Sequence, residues 1–301
     1  MAHNINDRNL LTNAEWIELC EKRFSEQFFG IAEDICKNRG LRIVRLYGPS
    51  CSGKTTAARL LIDMFEKLGK KAHLVSIDDF FYNREVLEQK SREKGLKRLD
   101  YDSPDTIDSE ELRRFADELF ESNVVHCPTF DFKTGSRVGY KTLSIDKNDI
   151  VIFEGIQACY PIVKEMLSEH GSASIFIAPK KNVSVDGVTL SPNRLRLMRR
   201  LVRDYHFRSS SPKFTFELWK SVRDNERKNI FPYAEESDYC IDSAMPYELG
   251  VLKPFLEEIL GEIDEDSEYF EKSRQILDAI KNIDVIPREL ILDEYLYSEF
   301  V

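Results

Sequence analysis

The stretch Gly48-Pro49-Ser50-Cys51-Ser52-Gly53-Lys54-Thr55-Thr56 decides how the rest of the chain is read. It has the form G-x-x-x-x-G-K-[ST], preceded by the apolar run Arg42-Ile43-Val44-Arg45-Leu46-Tyr47 and followed by a helical pattern. Its glycines let the backbone curl so that successive N–H groups converge on phosphate oxygens. Lys54 supplies a point charge for β- and γ-phosphates, and Thr55 offers a hydroxyl to Mg²⁺. The helix that begins there adds its positive dipole end. The expectation is an ATP site made by Gly48, Ser50, Cys51, Ser52, Gly53, Lys54, Thr55 and Thr56.

Working outward, Leu60, Leu61, Met64 and Leu68 keep helical spacing over 54–68, and Gly69 is a natural stop. Upstream, Thr12-Asn13-Ala14-Glu15 has the form of a capping box. Trp16, Leu19, Cys20 and Phe24 then recur on one helical face as far as Gly40. Short apolar strands at 73–77, 149–153, 174–178 and 239–242 alternate with helical stretches at 108–120, 161–168, 193–207 and 214–229. That alternation predicts an α/β fold: a doubly wound, mostly parallel sheet with helices on both faces. Residues 246–301 read as two acidic amphipathic helices and an irregular end.

With 301 residues and 42% hydrophobic content the chain can bury a sizeable core. Its formal net charge of −10 argues against a general binder of nucleic acid or of anionic membrane. Met1 to Leu11 holds no apolar stretch of the kind a signal peptide needs, and no run is long enough to span a bilayer. The six cysteines are scattered without a C-x-x-C pair, which reads as reduced thiols in a cytoplasmic protein rather than a zinc site. Self-association is left open.

Four further segments bear on chemistry. Asp149-Ile150-Val151-Ile152-Phe153-Glu154 is an apolar strand that ends in a carboxylate, so Glu154 joins Thr55 as a metal group. Asp149 is the weaker candidate, because it begins the strand. Ser76-Ile77-Asp78-Asp79-Phe80-Phe81 puts two carboxylates at the end of the second strand, as a general base or as a helix cap. Asp100-Tyr101-Asp102-Ser103-Pro104-Asp105-Thr106-Ile107-Asp108 groups four acids with an aromatic residue and a proline. It reads as a solvated loop or a sugar site, with Asp108 as the cap of the next helix.

Lastly, Arg194, Arg196, Arg199, Arg200, Arg203 and Arg208 cluster in an acidic chain. Four of them, Arg196, Arg199, Arg200 and Arg203, fall within about a 100° arc, opposite Leu197, Met198, Leu201 and Val202. With almost no acid nearby in sequence, the expectation is a guanidinium face on a mobile lid over ATP.

Together these segments resemble the uridine kinase and phosphoribulokinase family of P-loop kinases, in its bacterial uridine-kinase-like branch. The similarity runs from about 41 to 260 and includes Pro128–Arg137 and Phe231–Asp242. It implies a kinase domain over 41–260 with its lid near 193–212, between a helical extension at 1–40 and a helical tail at 261–301. It implies Asp78 as catalytic base and Asp102, beside Tyr101, as the carboxylate that binds ribose hydroxyls. Arg196, Arg199, Arg203 and Arg208 become lid and acceptor-site arginines, and Lys54, Arg199 and Arg203 act on the transferring group. Phe81, Phe130, Phe132 and Arg137 then complete the acceptor side.

The family's Tyr-Asp-Phe-x-x-His, whose tyrosine and histidine read a pyrimidine, is here Phe130-Asp131-Phe132-Lys133-Thr134-Gly135. The hydroxyl and the imidazole are both missing, which removes the donors that discriminate a base. The reading is an ATP- and Mg²⁺-dependent kinase acting on a hydroxyl of a small-molecule acceptor, a nucleoside such as uridine or cytidine. A sugar phosphate or other alcohol, or a slow-turnover regulatory nucleotide binder, stands as the alternative.

Overall fold

The computed structural model describes residues 11–38, 40–95, 103–168, 171–185 and 187–301. In chain order the strands are β1 (Ile43–Tyr47), β2 (Ala72–Ser76), β3 (Val124–Asp131), β4 (Ser136–Ser144), β5 (Ile150–Glu154), β6 (Ser172–Ala178), β7 (Val183–Val185), β8 (Val188–Leu190) and β9 (Tyr239–Asp242). The helices are α1 (Asn13–Lys37), α2 (Lys54–Lys67), α3 (Arg84–Glu93), α4 (Ser109–Glu121), α5 (Pro161–Ser168), α6 (Pro192–Arg208), α7 (Pro212–Asn229), α8 (Phe231–Ala234), α9 (Glu248–Gly261) and α10 (Phe270–Ile280).

The main sheet has the order β2-β5-β1-β6-β9, and every neighbouring pair is parallel. Such a sheet must be covered on both faces, and the side-chain alternation of its strands supplies two cores. Val44 and Leu46 of β1 and Ile150 and Ile152 of β5 join one core, with α1, α2, α6 and α9. Ile43 and Tyr47 of β1 and Val151 and Phe153 of β5 point the other way, toward α4 and α5. The expected doubly wound α/β architecture is therefore the observed one.

Because the strands are parallel, their carboxyl ends share one edge. In register, Leu46 lies beside Glu154, and Glu154 beside Ser76. The glycine loop, Glu154 and the Asp78 segment leave the sheet side by side, at the crevice where open α/β sheets bind ligands.

The sequence reading missed one large feature. β3 and β4 form a separate antiparallel hairpin, with a register irregularity at Thr129/Phe130. Much of β4 is exposed and lacks an apolar period, and Pro128 interrupts the strand signal of β3. The tail carries the two expected helices, α9 and α10, and an irregular end. α9 buries Leu249, Val251, Leu252, Leu256, Ile259 and Leu260 in the first core and leaves Glu257 and Glu258 exposed.

The N-terminal helix opens with the expected capping box, the Thr12 hydroxyl facing the Glu15 amide and the Glu15 carboxylate the Thr12 amide. Trp16, Ile17, Phe24 and Phe28 of α1 share a core with Leu296, Tyr297 and Phe300 at the far end of the chain. One buried acid ties these ends together. The Glu21 carboxylate accepts hydrogen bonds from the Tyr247 hydroxyl and from the Leu296 amide, the latter at 3.2 Å. Burial outweighs those bonds, and with Glu294 adding negative charge the Glu21 carboxyl is pushed up to about 7.

An unfolded chain releases this proton near pH 4.5, whereas the folded one holds it to about 7. Stability from Glu21 is thus present below pH 4.5 and is lost as pH rises through 7, by about 3 kcal/mol at most. Thermal unfolding followed from pH 5 to pH 8 should show that loss in the wild type and a flatter profile in Glu21→Gln. Equal slopes in the two proteins would contradict the assignment.

Candidate active site

The loop between β1 and α2 is shaped from both sides. Gly48 passes so close to the β6 end that a Cβ there would sit 2.0 Å from the Ile177 carbonyl oxygen. Cys51 and Gly53 adopt φ of 58° and 88°, so two left-handed residues two positions apart provide the curl. A loop bent this way turns carbonyls outward, and those oxygens need donors.

Helix α6 supplies the donors. Arg196 Nη1 donates to the Ser50 carbonyl at 3.0 Å and Arg199 Nη1 to the Cys51 carbonyl at 3.3 Å. Arg200 Nη1 donates to the Ser50 hydroxyl at 3.1 Å. Lys54 folds back to donate to the Pro49 carbonyl at 3.2 Å.

This corrects the expectation of an open guanidinium face on a lid. Arg196 and Arg199 are 1% and 0% exposed, among the largest fully buried side chains of the protein. Arg196 is paired with Glu226 of α7, with Nη1 at 2.5 Å and Nη2 at 2.8 Å. Arg199 is paired with Glu248 at the start of α9, 2.8 Å from Nε, and also donates to the Ser243 carbonyl and to the Tyr297 hydroxyl. Asp204 pairs with Arg200 and Arg203. For Arg196 and Arg199 the balancing acids lie 30 and 49 residues away along the chain, where no helical period can reveal them. Arg203 remains 16% exposed at its side chain, and Arg208 is 57% exposed, 3.7 Å from Asp204.

At the sheet edge the three expected carboxylates take different positions. Burial pushes the Glu154 carboxyl up, Lys54 pulls it down and Glu299 pushes it up. The Asp79 carboxyl is also raised by burial, and it accepts the Phe130 amide at 3.0 Å, which fastens the β3–β4 hairpin to the strand end. Asp78 lies against the end of β5: a Cβ on Gly155 would come 3.4 Å from Asp78 Oδ1 and 2.2 Å from Ile77 Cγ2. Asp149 stands at the opposite end of β5, bonded to His73 at 2.8 Å, and takes no part.

On the acceptor side, Phe81, Phe130 and Phe132 meet edge to face with centroids 5.1 to 5.8 Å apart. Phe81 and Phe130 are buried and Phe132 is 52% exposed. Arg137 is committed to α4, donating to Asp108 at 2.8 Å and to Glu111 at 3.2 Å. Asp108 also caps α4 through the Glu111 amide, as expected. Gly135 has φ of 71°, and a Cβ would come 2.7 Å from Arg84 Nε. The hairpin turn thus holds this position in a backbone conformation that favours glycine. Tyr101 and Asp102 lie outside the described residues.

The residues suit a nucleoside triphosphate with a divalent cation. Gly53, the N-cap of α2, provides no side-chain cap, so the helix start draws its acceptor from elsewhere. Thr56 N–H and Oγ1 donate to the Glu299 carboxylate at 3.1 and 2.9 Å, so the loop end already accepts an anion. For the cation, the exposed Thr55 offers a hydroxyl and the half-buried Glu154 a carboxylate. No cluster of three ligating His, Cys, Asp or Glu side chains occurs among the described residues. The six cysteines are free thiols, and no described helix is long and apolar enough to cross a membrane.

A P-loop beside two strand-end carboxylates defines a nucleotide-dependent phosphotransferase, and comparison with known proteins agrees. The chain belongs to the Phosphoribulokinase / Uridine kinase family, whose pattern matches residues 43–248, more than half its length. Members of this class transfer phosphate from ATP, with a divalent metal, to an alcohol. The chain is 28% identical over 183 residues to uridine kinase of Mycoplasma genitalium, covering 60% of this chain and 74% of that one. It is 26% identical over 180 residues to uridine kinase of Ureaplasma parvum, covering 60% and 77%. Among solved structures, a fructose transport system kinase candidate from Silicibacter sp. TM1040 shares the fold, with a TM-score of 0.52 and 19% identity over 71% of this chain and 98% of that one.

Reasoning from sequence missed Glu226, Glu248 and Glu299, none of which carries a local motif, and Asp79 as the anchor of the hairpin. Two outcomes follow from the geometry. Gly48→Ala should abolish nucleotide binding by calorimetry while the protein stays folded, because its Cβ cannot fit against Ile177. Glu248→Ala should cost about 3–5 kcal/mol in denaturant unfolding, since it strands a fully buried guanidinium. A loss below about 1 kcal/mol would show that Arg199 does not depend on Glu248.

Proposed function

We propose that this protein is a Mg²⁺- and ATP-dependent kinase of a nucleoside-like acceptor, phosphorylating a hydroxyl. The observation that carries the reading is the alignment of the Gly48–Thr56 loop, Glu154 and Asp78 along one sheet edge. Bound MgATP supplies the phosphoryl group and part of the charge neutralisation. Loop amides and Lys54 hold the β- and γ-phosphates, while Thr55 and Glu154 serve the cation. Asp78 takes the proton from the acceptor hydroxyl as its oxygen attacks.

The roles of the arginines divide according to where they lie. Arg196 and Arg199 are positioning residues, which hold the loop from behind. Arg203 and Arg208, at the more open end of α6, are the ones to neutralise charge on the transferring group and acceptor. Asp102 and Tyr101 bind the acceptor's hydroxyls, and Phe130 and Phe132 offer ring faces for its base. A reduced, cytoplasmic setting suits the free thiols.

One observation favours a second acceptor class, a sugar phosphate or other alcohol. The turn at Gly135 leaves the hairpin without the donor that would read a pyrimidine edge. A panel of uridine, cytidine, other nucleosides, sugar phosphates and polyols, scored by acceptor-dependent ADP release, separates the two. ADP release that no acceptor stimulates would sink both. For the base, Asp78→Ala should lower transfer by at least about a hundredfold while ATP affinity stays within about twofold. Transfer near the wild-type rate would remove Asp78 from that role.

A further inference from the structure

Residues 296–301 pack against the phosphate loop and its supports. A single 3₁₀ turn, Leu296–Glu299, is held there by four independent contacts. Leu296 is fully buried against Gly53, so close that a Cβ on that glycine would be 2.3 Å from Leu296 Cδ1. The Leu296 amide is bonded to the buried Glu21 carboxylate of α1. The Tyr297 hydroxyl accepts from Arg199 Nε at 2.7 Å, and the guanidinium lies over the Tyr297 and Phe300 rings at 5.1 and 5.4 Å. Finally, Glu299 Oε2 accepts both the amide and the hydroxyl of Thr56.

Thr56 is the third residue of α2, and its N–H is one of the helix-start donors that has no partner within the helix. These are the donors, at the positive end of the helix dipole, that a phosphate group takes when a nucleotide sits in such a loop. A hydroxyl beside an amide, both aimed at one oxygen, presents the same pair to a carboxylate as to a phosphate. Among the groups that flank the loop, Arg203 attracts the Glu299 carboxylate and Glu154 repels it, so the seat is held by the Thr56 donors and Arg203 against one like charge. A carboxylate seated there and a polyphosphate cannot share Thr56.

From this juxtaposition we infer that the C-terminal segment is a tethered anionic competitor of the nucleotide. The Glu299 carboxylate occupies a phosphate subsite of the loop and must withdraw from Thr56 for a nucleoside triphosphate to bind fully. The tether makes the competition intramolecular, so a single carboxylate is effective without high affinity of its own. The same segment touches the loop through Leu296 and its supporting arginine through Tyr297, so its release also relaxes the loop's packing. The inference rests on the proposal that the loop binds ATP.

Calorimetric titration of the full-length wild type, Glu299→Gln and Glu299→Ala with ADP and with MgATP tests it. Removing a charge-assisted competitor should tighten binding by about tenfold in Glu299→Ala, with Glu299→Gln between the two. If the wild type binds and Glu299→Ala binds equally or less tightly, Glu299 is a permanent helix cap and the inference fails while the nucleotide reading stands. If neither protein binds, the nucleotide reading itself fails and takes the inference with it. Hydrogen exchange in the unmodified wild type gives a measurement free of any folding defect. Amides of residues 296–301 should be protected without ligand and lose protection at saturating MgATP, and protection unchanged by bound nucleotide would overturn the proposal.

Discussion

Everything at the carboxyl edge of the sheet depends on two buried guanidinium groups that hold the phosphate loop by its carbonyls. A loop whose amides are to point inward at an anion must point carbonyls outward, and those cannot be left dry and unpaired. Arg196 and Arg199 meet that demand from behind, at Ser50 and Cys51. Each is itself a buried charge, so each requires a carboxylate, and Glu226 of α7 and Glu248 of α9 provide them. Desolvation makes such pairs a weak source of net stability, but breaking one is costly, so they act chiefly by fixing geometry. The positions of α6, α7 and α9 relative to the loop follow from this one requirement.

The same logic explains why an acidic chain can bind polyphosphate. The net charge of −10 is a global quantity, and at Debye lengths of about 8 Å only the nearest charges are felt. Near the loop stand Lys54, Arg200 and Arg203, together with the start of α2. Carboxylates enter at defined contacts: Glu226 accepts the Ser50 amide at 3.2 Å, and Glu299 accepts Thr56. The loop is therefore a set of anion-seeking donors whose partners are drawn from far along the sequence.

That long range marks what the sequence could show. Elements driven by local chemistry were legible: the capping box at Thr12, the helix starting at Lys54, the apolar strands around the loop and the cap at Asp108 all follow from short-range rules. The loop and its neighbours Glu154 and Asp78 were legible because parallel strands end at a common edge, so a strand-end carboxylate has one place to go. The arginines of α6 were read correctly as a group and wrongly as to environment. Helical periodicity reports which residues share a face. It says nothing of what covers that face, and the acids that cover Arg196 and Arg199 come from separate helices. β4 was invisible because an exposed strand has no apolar period, and Glu299 because nothing near it in sequence marks it as part of a site.

The hairpin shows how one backbone constraint can reach into specificity. Asp79 holds the Phe130 amide, Asn83 holds the Arg137 amide at 2.8 Å, and the Gly135 carbonyl receives the Arg84 amide at 2.7 Å. These three bonds fasten β3, β4 and their turn to the segment that follows the proposed base. Gly135 sits at the centre of that attachment with a positive φ and with the Arg84 side chain where a Cβ would go. Under the proposed function, stacking on an acceptor ring falls chiefly to Phe132, which is 52% exposed and braced by the buried Phe130, and a phenyl face does not hydrogen-bond a ring edge. On that proposal, a site so built would discriminate by shape and by hydroxyl contacts more than by base identity.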